Sequence, residues 1–505
     1  MAKKIMFQGT GSSVGKSIIV AAVCRILNNY GFSVAPFKSQ NMSLNSFITE
    51  DGKEMGRAQV VQAECARIKP HVTMNPILLK PTSDVGSQVI LGGEVFKNME
   101  AKKYFSSKDY LVPYIRESFE SLEKAYDIVV IEGAGSPAEI NLRSRDIVNM
   151  GLAEIIDTDV VLIGDVDKGG VFASLYGTFL LLEKEEQKRI QGFVINKFRG
   201  DVSLLLSGVE MLEKLIDRPC LGIIPFIDDL KVDDEDSVTE RFSKVNDRKI
   251  TIGVVKLPYM SNFTDFTVFD LEEDVSLEYM NDAEAILKAD LIVIPGSKNT
   301  IHDMKYLLDS SLSRAIYEAH RDDIPIIGIC GGYQILGQWI EDREGVESAI
   351  DKINGLGLLD VLTEMAAVKT TRQAKGRIIS DFMSLGLEGE SLKGYEIHMG
   401  QTKHISDKVL PFMKTDLNEM DGAINLKGNV LGTYYHGIFD NDGFRTTLLQ
   451  KIKSKKGFSS ETTSQLSFEV LKDREYDRLA QHVENHLNMV KIVDILNASR
   501  EKVKV

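Results

Sequence analysis

The chain has 505 residues, 43% of them hydrophobic, and a formal net charge of -14. That length holds about two to four domains, and the acidic balance argues against general affinity for nucleic acid. No apolar run approaches the ~20 residues of a membrane helix, and the opening MAKKIMFQGT lacks the apolar core and small-residue cleavage site of a signal peptide. Cys24, Cys65, Cys220 and Cys330 are scattered with no CxxC pair, which fits a reducing cytoplasm and excludes a cysteine zinc cluster.

In chain order, the predicted strands are KIMFQ (4–8), SVAPF (33–37), DIVVIEG (127–133), DVVLIGD (159–165), GFVIN (192–196) and CLGIIP (220–225), with helical patterns between most of them. Apolar runs alternating with amphipathic stretches are the βαβ signature of a parallel sheet covered by helices. A charged stretch poor in apolar residues follows and reads as a linker over 229–249. The alternation then resumes with KITIGVVKL (249–257), DLIVIPGS (290–297), IPIIGIC (324–330) and NVLGTYYHG (429–437). The expected architecture is therefore two tandem α/β domains, over 1–228 and 250–455. Residues 456–505 form a charged helical tail, expected to pack on the second domain.

FQGTGSSVGKS (7–17) stands between the first strand and a helical run. Its glycines, Gly9, Gly11 and Gly15, let backbone N–H groups wrap an anion, and the helix N-terminus adds its dipole. The stretch from Gly9 through Thr10, Gly11, Ser12, Ser13, Val14 and Gly15 is thus an expected ATP site. Lys16 would reach the β and γ phosphates and Ser17 would ligate Mg²⁺. The strict GxxxxGKS spacing needs glycine at position 10, where this chain has Thr10. Glu132 and Asp165 close two predicted strands, where an open parallel sheet presents its ligand crevice, and are candidate metal ligands beside Ser17. Helix capping or turn formation is the bland alternative for such acids. Asn196, also at a strand end, is a candidate reader of adenine.

IIGICGGYQILG (326–337) reads as strand, sharp turn and helix, with Cys330 at the turn. That is a nucleophile elbow carrying sulfur, and a helix N-terminus favours an anion there. The Gly331 N–H is a candidate oxyanion donor, and Gly296 in PGSKNT (295–300) is a second. The base should be a histidine remote in sequence. Of the eight, His436 in VLGTYYHGIFDN is the best candidate and His398 in GYEIHMG the second. A lone buried cysteine or histidine is ordinarily structural; the elbow and the paired histidine favour chemistry.

GICGGYQILG together with GTYYHGIF resembles the class I glutamine amidotransferases, in their cobyric acid synthase branch. KSQNMSLNS (38–46), GRAQVVQAECA (56–66), MNPILLKPTSDVGSQVI (74–90), EGAGSPAEINLRSRDIVNMGLA (132–153), DVDKGGVFAS (165–174) and INKFRGD (195–201) are similar to that family's defining stretches. The resemblance runs nearly end to end. It implies a dethiobiotin-synthetase-like P-loop domain for ATP and corrinoid over 1–228 and a class I glutaminase domain over 250–455. The implied reaction is ATP- and glutamine-dependent amidation of the b, d, e and g carboxylates of adenosylcobyrinic acid a,c-diamide, giving cobyric acid in cobalamin biosynthesis. ATP and Mg²⁺ are the implied cofactors. Glutamine and the corrinoid are the implied partners, with no nucleic acid and no membrane, and self-association is left open. Lys38, Asn41, Lys80, Arg143 and Lys168 lie in the matching segments and are the expected contacts to a polycarboxylate.

One departure stands out. Typical class I glutaminases carry an acid two residues past the histidine, whereas Gly437 and Ile438 follow His436 here. The cobyric acid synthase branch resembles this chain in lacking it, so the group that orients His436 is not identified by sequence. The rival readings are a cobyrinic acid a,c-diamide synthase, which shares both domain types, and a non-catalytic ATP-dependent scaffold with an inactive glutaminase domain.

Overall fold

A computed structural model describes residues 2–82, 86–106, 108–232, 248–458 and 466–501. The chain divides into two compact units. The first comprises 1–43, 54–236 and 472–505, and the second 44–53 and 237–471.

The first unit is built on a six-stranded sheet in the order Cys220–Pro225, Ile190–Phe198, Val160–Asp165, Lys3–Gly9, Ile128–Glu132 and Val34–Phe37. Every pairing in it is parallel. All six predicted strands of the first half are present. The central runs are apolar throughout because helices cover both faces, as buried parallel strands require. Ile5, Phe7, Val130, Val161 and Ile163 are fully buried against the helix Lys16–Asn29. The reversal of strand order beside Lys3–Gly9 opens the crevice where such sheets bind ligands. A second, four-stranded sheet is formed by Gln40–Met42, Ile77–Pro81, Gly86–Leu91 and Glu94–Glu100.

The second unit holds a seven-stranded sheet in the order Val275–Met280, Ile250–Val255, Leu291–Ile294, Ile326–Ile329, Val430–Thr433, Ala423–Asn425 and Val409–Leu410. The pairings among its first five strands are parallel and its last two pairings are antiparallel, so only Ala423–Asn425 runs against the rest. Beside it lies a mixed sheet dominated by one long antiparallel pair, Val361–Ile378 with Ser391–His404.

Two expectations need comment. The tail is helical, over Phe468–Glu484 and Met489–Glu501, and only its start, to residue 471, stays with the second unit, where Phe468 packs on that core. From residue 472 it belongs to the first unit, where Tyr476, Leu479, Val483, Leu487, Ile492 and Leu496 join that core. Its apolar stripe was legible, but nothing in a stripe specifies which core it covers. Of the linker expected over 229–249, residues 233–247 lie outside the described residues.

Candidate active site

The phosphate loop of the first unit is shaped by close backbone approach. A Cβ at Gly9 would lie 2.6 Å from Val14 and 2.9 Å from the Gly11 carbonyl. Gly15 sits at φ 92°, the left-handed conformation that glycine adopts freely, and starts the helix Lys16–Asn29. Thr10 donates its N–H to Ile163 O at 2.9 Å, so the residue that departs from the strict spacing extends the sheet edge. Lys16 Nζ donates to Gly11 O at 2.9 Å and to Gly135 O at 3.3 Å. Asn196 donates its amide to Val14 O at 2.8 Å and Lys197 donates to Ser13 O at 2.6 Å, bracing the loop from the neighbouring strand.

Glu132 ends its strand fully enclosed, and its carboxylate collects four donors. Ser17 Oγ (2.7 Å) and Lys38 Nζ (2.9 Å) reach Oε1, while Gln62 Nε2 (2.6 Å) and Gln59 Nε2 (3.3 Å) reach Oε2. Asp165 accepts from Asp167 N at 2.9 Å and pairs with Lys197 at 3.1 Å. Among the described residues no three His, Cys, Asp or Glu side chains cluster as a metal cage. The hydroxyl and carboxylate of Ser17 and Glu132 do fit a hard cation that keeps most of its ligands from water and phosphate.

The residues expected to contact a polycarboxylate scatter in character. Lys38 is committed to Glu132, and Lys80 is buried in an ion pair with Glu54 at 2.9 Å. Asn41 donates to Gln59 at 3.0 Å. Arg143 pairs with Glu183 and Glu186, both at 3.2 Å, and Lys168 is exposed.

In the second unit Cys330 follows the strand Ile326–Ile329 and opens the helix Gly331–Leu336. Its backbone lies at φ 52° and ψ -106°, a strained conformation for a residue with a Cβ and the one a nucleophile elbow imposes. Glycines make the elbow possible. A Cβ at Gly332 would fall 1.9 Å from Ile294 O, and one at Gly331 would fall 2.7 Å from Ser297 N. Gly331 therefore lies against the backbone of the Gly296–Ser297 strand, and a Cβ at Gly296 would fall 3.2 Å from His436 Cε1. Asp303 fixes the same loop by accepting from Ser297 Oγ at 2.5 Å and Tyr259 N at 3.0 Å.

His436 follows the strand Val430–Thr433 and is 1% exposed. Its ring stacks on Tyr395, with centroids 5.1 Å apart. Its Nδ1 bonds Asp265 Oδ2 at 2.6 Å, and Gly437 N donates to the other oxygen of that carboxylate at 3.1 Å. The opposite nitrogen, Nε2, is buried and has no hydrogen-bond partner among the described residues. Burial works against the imidazolium, but the Asp265 carboxylate, and after it the Cys330 sulfur when anionic, outweighs it and raises the pKa to about 10. His436 thus faces both groups. His398 is engaged elsewhere, bonding Gly400 O at 2.8 Å and stacking on Tyr434 at 3.7 Å.

Asp265 is the residue that sequence reasoning missed. It sits in the 3₁₀ helix Phe263–Leu271, whose Phe266 and Phe269 pack on Phe439, three residues past the histidine. The buried pair of Arg445 with Glu272, at 2.9 Å, holds the end of the same turn. The only signal in the sequence was an acid within an aromatic run, FTDFTVF.

Comparison with known proteins decides the family. A CobQ/CobB/MinD/ParA nucleotide binding domain matches residues 5–239, and a CobB/CobQ-like glutamine amidotransferase domain matches 251–444. The chain is 51% identical over 502 residues to a cobyric acid synthase of Clostridium acetobutylicum, covering 99% of this chain and 100% of the relative. The chain belongs to the cobyric acid synthase family. A cobyric acid synthase of Alkaliphilus metalliredigens is 50% identical over 97% of this chain and 99% of its own, and one of Clostridium botulinum strain Loch Maree is 50% identical over 98% and 99%. Membership makes the chain an amidating enzyme of cobalamin biosynthesis with a nucleotide-binding half and a glutaminase half. No helix among the described residues is long and apolar enough to cross a membrane.

Proposed function

We propose that this chain uses ATP and glutamine to amidate the b, d, e and g carboxylates of adenosylcobyrinic acid a,c-diamide, through two separate sets of residues. The observation that carries the reading is the Cys330–His436–Asp265 constellation in a chain that also holds the loop of Gly9 to Ser17. The thiolate of Cys330 attacks the side-chain carbonyl of glutamine. Its C–N bond breaks, His436 gives its proton to the departing nitrogen, and ammonia leaves a γ-glutamyl thioester that water then hydrolyses to glutamate. Asp265 holds the ring in the tautomer and orientation that aim Nε2 at the sulfur, the role an acid plays in such triads. The N–H groups of Gly331 and of the Gly296–Ser297 backbone are the oxyanion donors.

In the other half a substrate carboxylate takes the γ-phosphoryl group of ATP. A bare carboxylate is a poor electrophile, and the acyl phosphate supplies the leaving group that ammonia displaces. Lys16 neutralises charge on the transferring phosphoryl group, and Asn196 keeps the loop in shape. Ser17, Glu132 and Asp165 are the residues that would hold Mg²⁺, which supplies charge neutralisation on the phosphates. Lys38 shares the Glu132 carboxylate with Ser17 and is the candidate contact nearest the phosphate loop, while Lys38, Lys80 and Arg143 alike would have to leave acidic partners to meet the corrinoid.

The test separates the halves. Cys330→Ser should lose amidation with glutamine and retain it with ammonium salts, because only the nitrogen supply has been removed. Glutamine-dependent turnover near the wild-type rate in this variant would remove Cys330 from the mechanism.

A further inference from the structure

Asp303 is a buried acid with no part in the chemistry above. It lies in the helix Thr300–Asp309 and is 0% exposed. Among the described residues no cation pairs with it, and burial pushes its carboxyl up to about 6 against two hydrogen bonds that favour the anion. A carboxylate kept in the interior without a cation is costly, and what its two oxygens hold accounts for it. Oδ1 accepts from the Tyr259 N–H at 3.0 Å and Oδ2 from the Ser297 hydroxyl at 2.5 Å. The same hydroxyl accepts from Asn299 N at 3.1 Å, so the Ser297 side chain is tethered twice. Met260–Ser261 pairs antiparallel with Gly296–Ser297, with Met260 opposite Ser297. One carboxylate therefore clamps both chains of this small sheet at the same end.

The register decides which backbone donor the clamp controls. Antiparallel pairs alternate between those that exchange hydrogen bonds and those that do not. Lys298 N donates to Tyr259 O at 2.9 Å, so the next pair, Met260 with Ser297, exchanges none. The Ser297 N–H is thereby turned out of the ladder, while Gly296, one pair further, is turned into it toward Ser261. A Cβ at Gly331 would fall 2.7 Å from the Ser297 nitrogen, and one at Gly296 would fall 3.2 Å from Ser261 O. The outward N–H thus stands beside the residue that follows Cys330.

We propose that Asp303 is a positioning residue for glutamine hydrolysis, holding the Ser297 N–H as the donor that meets the oxyanion formed when Cys330 attacks the amide carbonyl. The inference rests on the glutaminase reading above and adds the group that fixes the donor. Such donors act through preorganisation: an N–H already aimed at the developing charge needs no reorientation as the charge appears. Nothing covalent passes through Asp303. Its carboxylate, by way of the hydroxyl, keeps the peptide between Gly296 and Ser297 from turning.

The test measures glutaminase kinetics of the full chain carrying Asp303→Asn, Ser297→Ala or both. Asparagine keeps an acceptor for Tyr259 N and loses the one for the hydroxyl, whereas alanine removes the hydroxyl and keeps the backbone N–H. Each single variant should lower kcat by about 10–10²-fold, less than deleting an oxyanion donor outright, with KM within about twofold of wild type. The double variant should be no slower than the slower single one, because both changes cut the same tether. Alkylation of Cys330 by iodoacetamide forms no oxyanion, so it should keep its wild-type rate and stoichiometry in all three. Wild-type kcat in both single variants overturns the inference and leaves Cys330 in place. Losses that multiply in the double variant overturn it as well, as does alkylation that falls along with kcat, which would show a collapsed site. If Asp303→Asn fails to fold, Ser297→Ala alone decides by the same kcat and alkylation readings. Glutamine hydrolysis that survives Cys330→Ser would instead remove the reading beneath the inference, and the inference with it.

Discussion

In the proposed glutaminase, Asp265 sets the charge state of His436. With His436 raised to about 10, the imidazole is protonated across neutral pH and holds the proton that departing ammonia needs. Because the folded pKa lies above the ordinary 6.5, the associated stability is fully present below pH 6.5 and is lost as pH rises through about 10. Glutamine hydrolysis should accordingly hold through pH 9 and fall near pH 10 in a kcat profile. Asp265→Asn removes the main charge that raises the ring, and it should lower kcat by about 10²–10⁴-fold and bring the alkaline limb down toward neutral pH. An unchanged limb in that variant would show that Asp265 only packs. In the other half, Lys16→Ala should lose amidation with glutamine and ammonia alike, by about 10²-fold or more, because no nitrogen source bypasses phosphoryl transfer. Retained ammonia-dependent turnover at saturating ATP would count against the phosphate loop. Cys330 and His436 stand out in the sequence because each sits in a local pattern, one between a strand and two glycines and one at a strand end. Asp265 lies 171 residues from its partner, and tertiary packing joins them, through Phe266 and Phe269 on Phe439 and the Arg445–Glu272 pair.

The elbow is an element whose geometry depends on absent side chains. Gly332 lies so close to Ile294 O that even a methyl group must displace the strand. Gly332→Ala should therefore cost about 1–3 kcal/mol by overpacking and disable glutamine hydrolysis, while ammonia-dependent amidation persists. A melting curve and a glutaminase assay check both parts, and wild-type behaviour in the two would contradict the geometry. Elements were read unevenly from sequence. Continuous apolar runs such as DIVVIEG and IPIIGIC can hardly avoid being central strands, and they are. The pair Val361–Ile378 and Ser391–His404 went unread, since VLTEMAAVKTTRQAKGRI is rich in polar and charged residues, only partly buried and far longer than an ordinary strand of ~5–6 residues. That pair carries Tyr395 against His436.

At the scale of the whole molecule, the first unit is closed by residues from the far end of the chain. Arg25 is fully buried, with its guanidinium on Asp473 at 2.6 Å and Asp477 at 2.8 Å, and Tyr476 reaches Glu64 at 2.6 Å. Removing one side of a buried pair leaves an uncompensated charge, which costs about 3–5 kcal/mol in full burial and less here because both aspartates are half exposed. Asp473→Ala with Asp477→Ala should lower the melting temperature of the nucleotide-binding half, and deleting 472–505 should expose its core and leave the chain insoluble. A truncated chain that melts like the full one would contradict this packing. The decisive measurement is mass spectrometry of corrinoid products over time, with ATP and glutamine supplied and either adenosylcobyrinic acid a,c-diamide or cobyrinic acid as substrate. The a,c-diamide should pass through successive products, each with one more carboxylate turned to amide, ending at four, with ATP consumed in step. Preference for cobyrinic acid, with conversion stopping after two amidations, would contradict this reading and identify a diamide synthase instead.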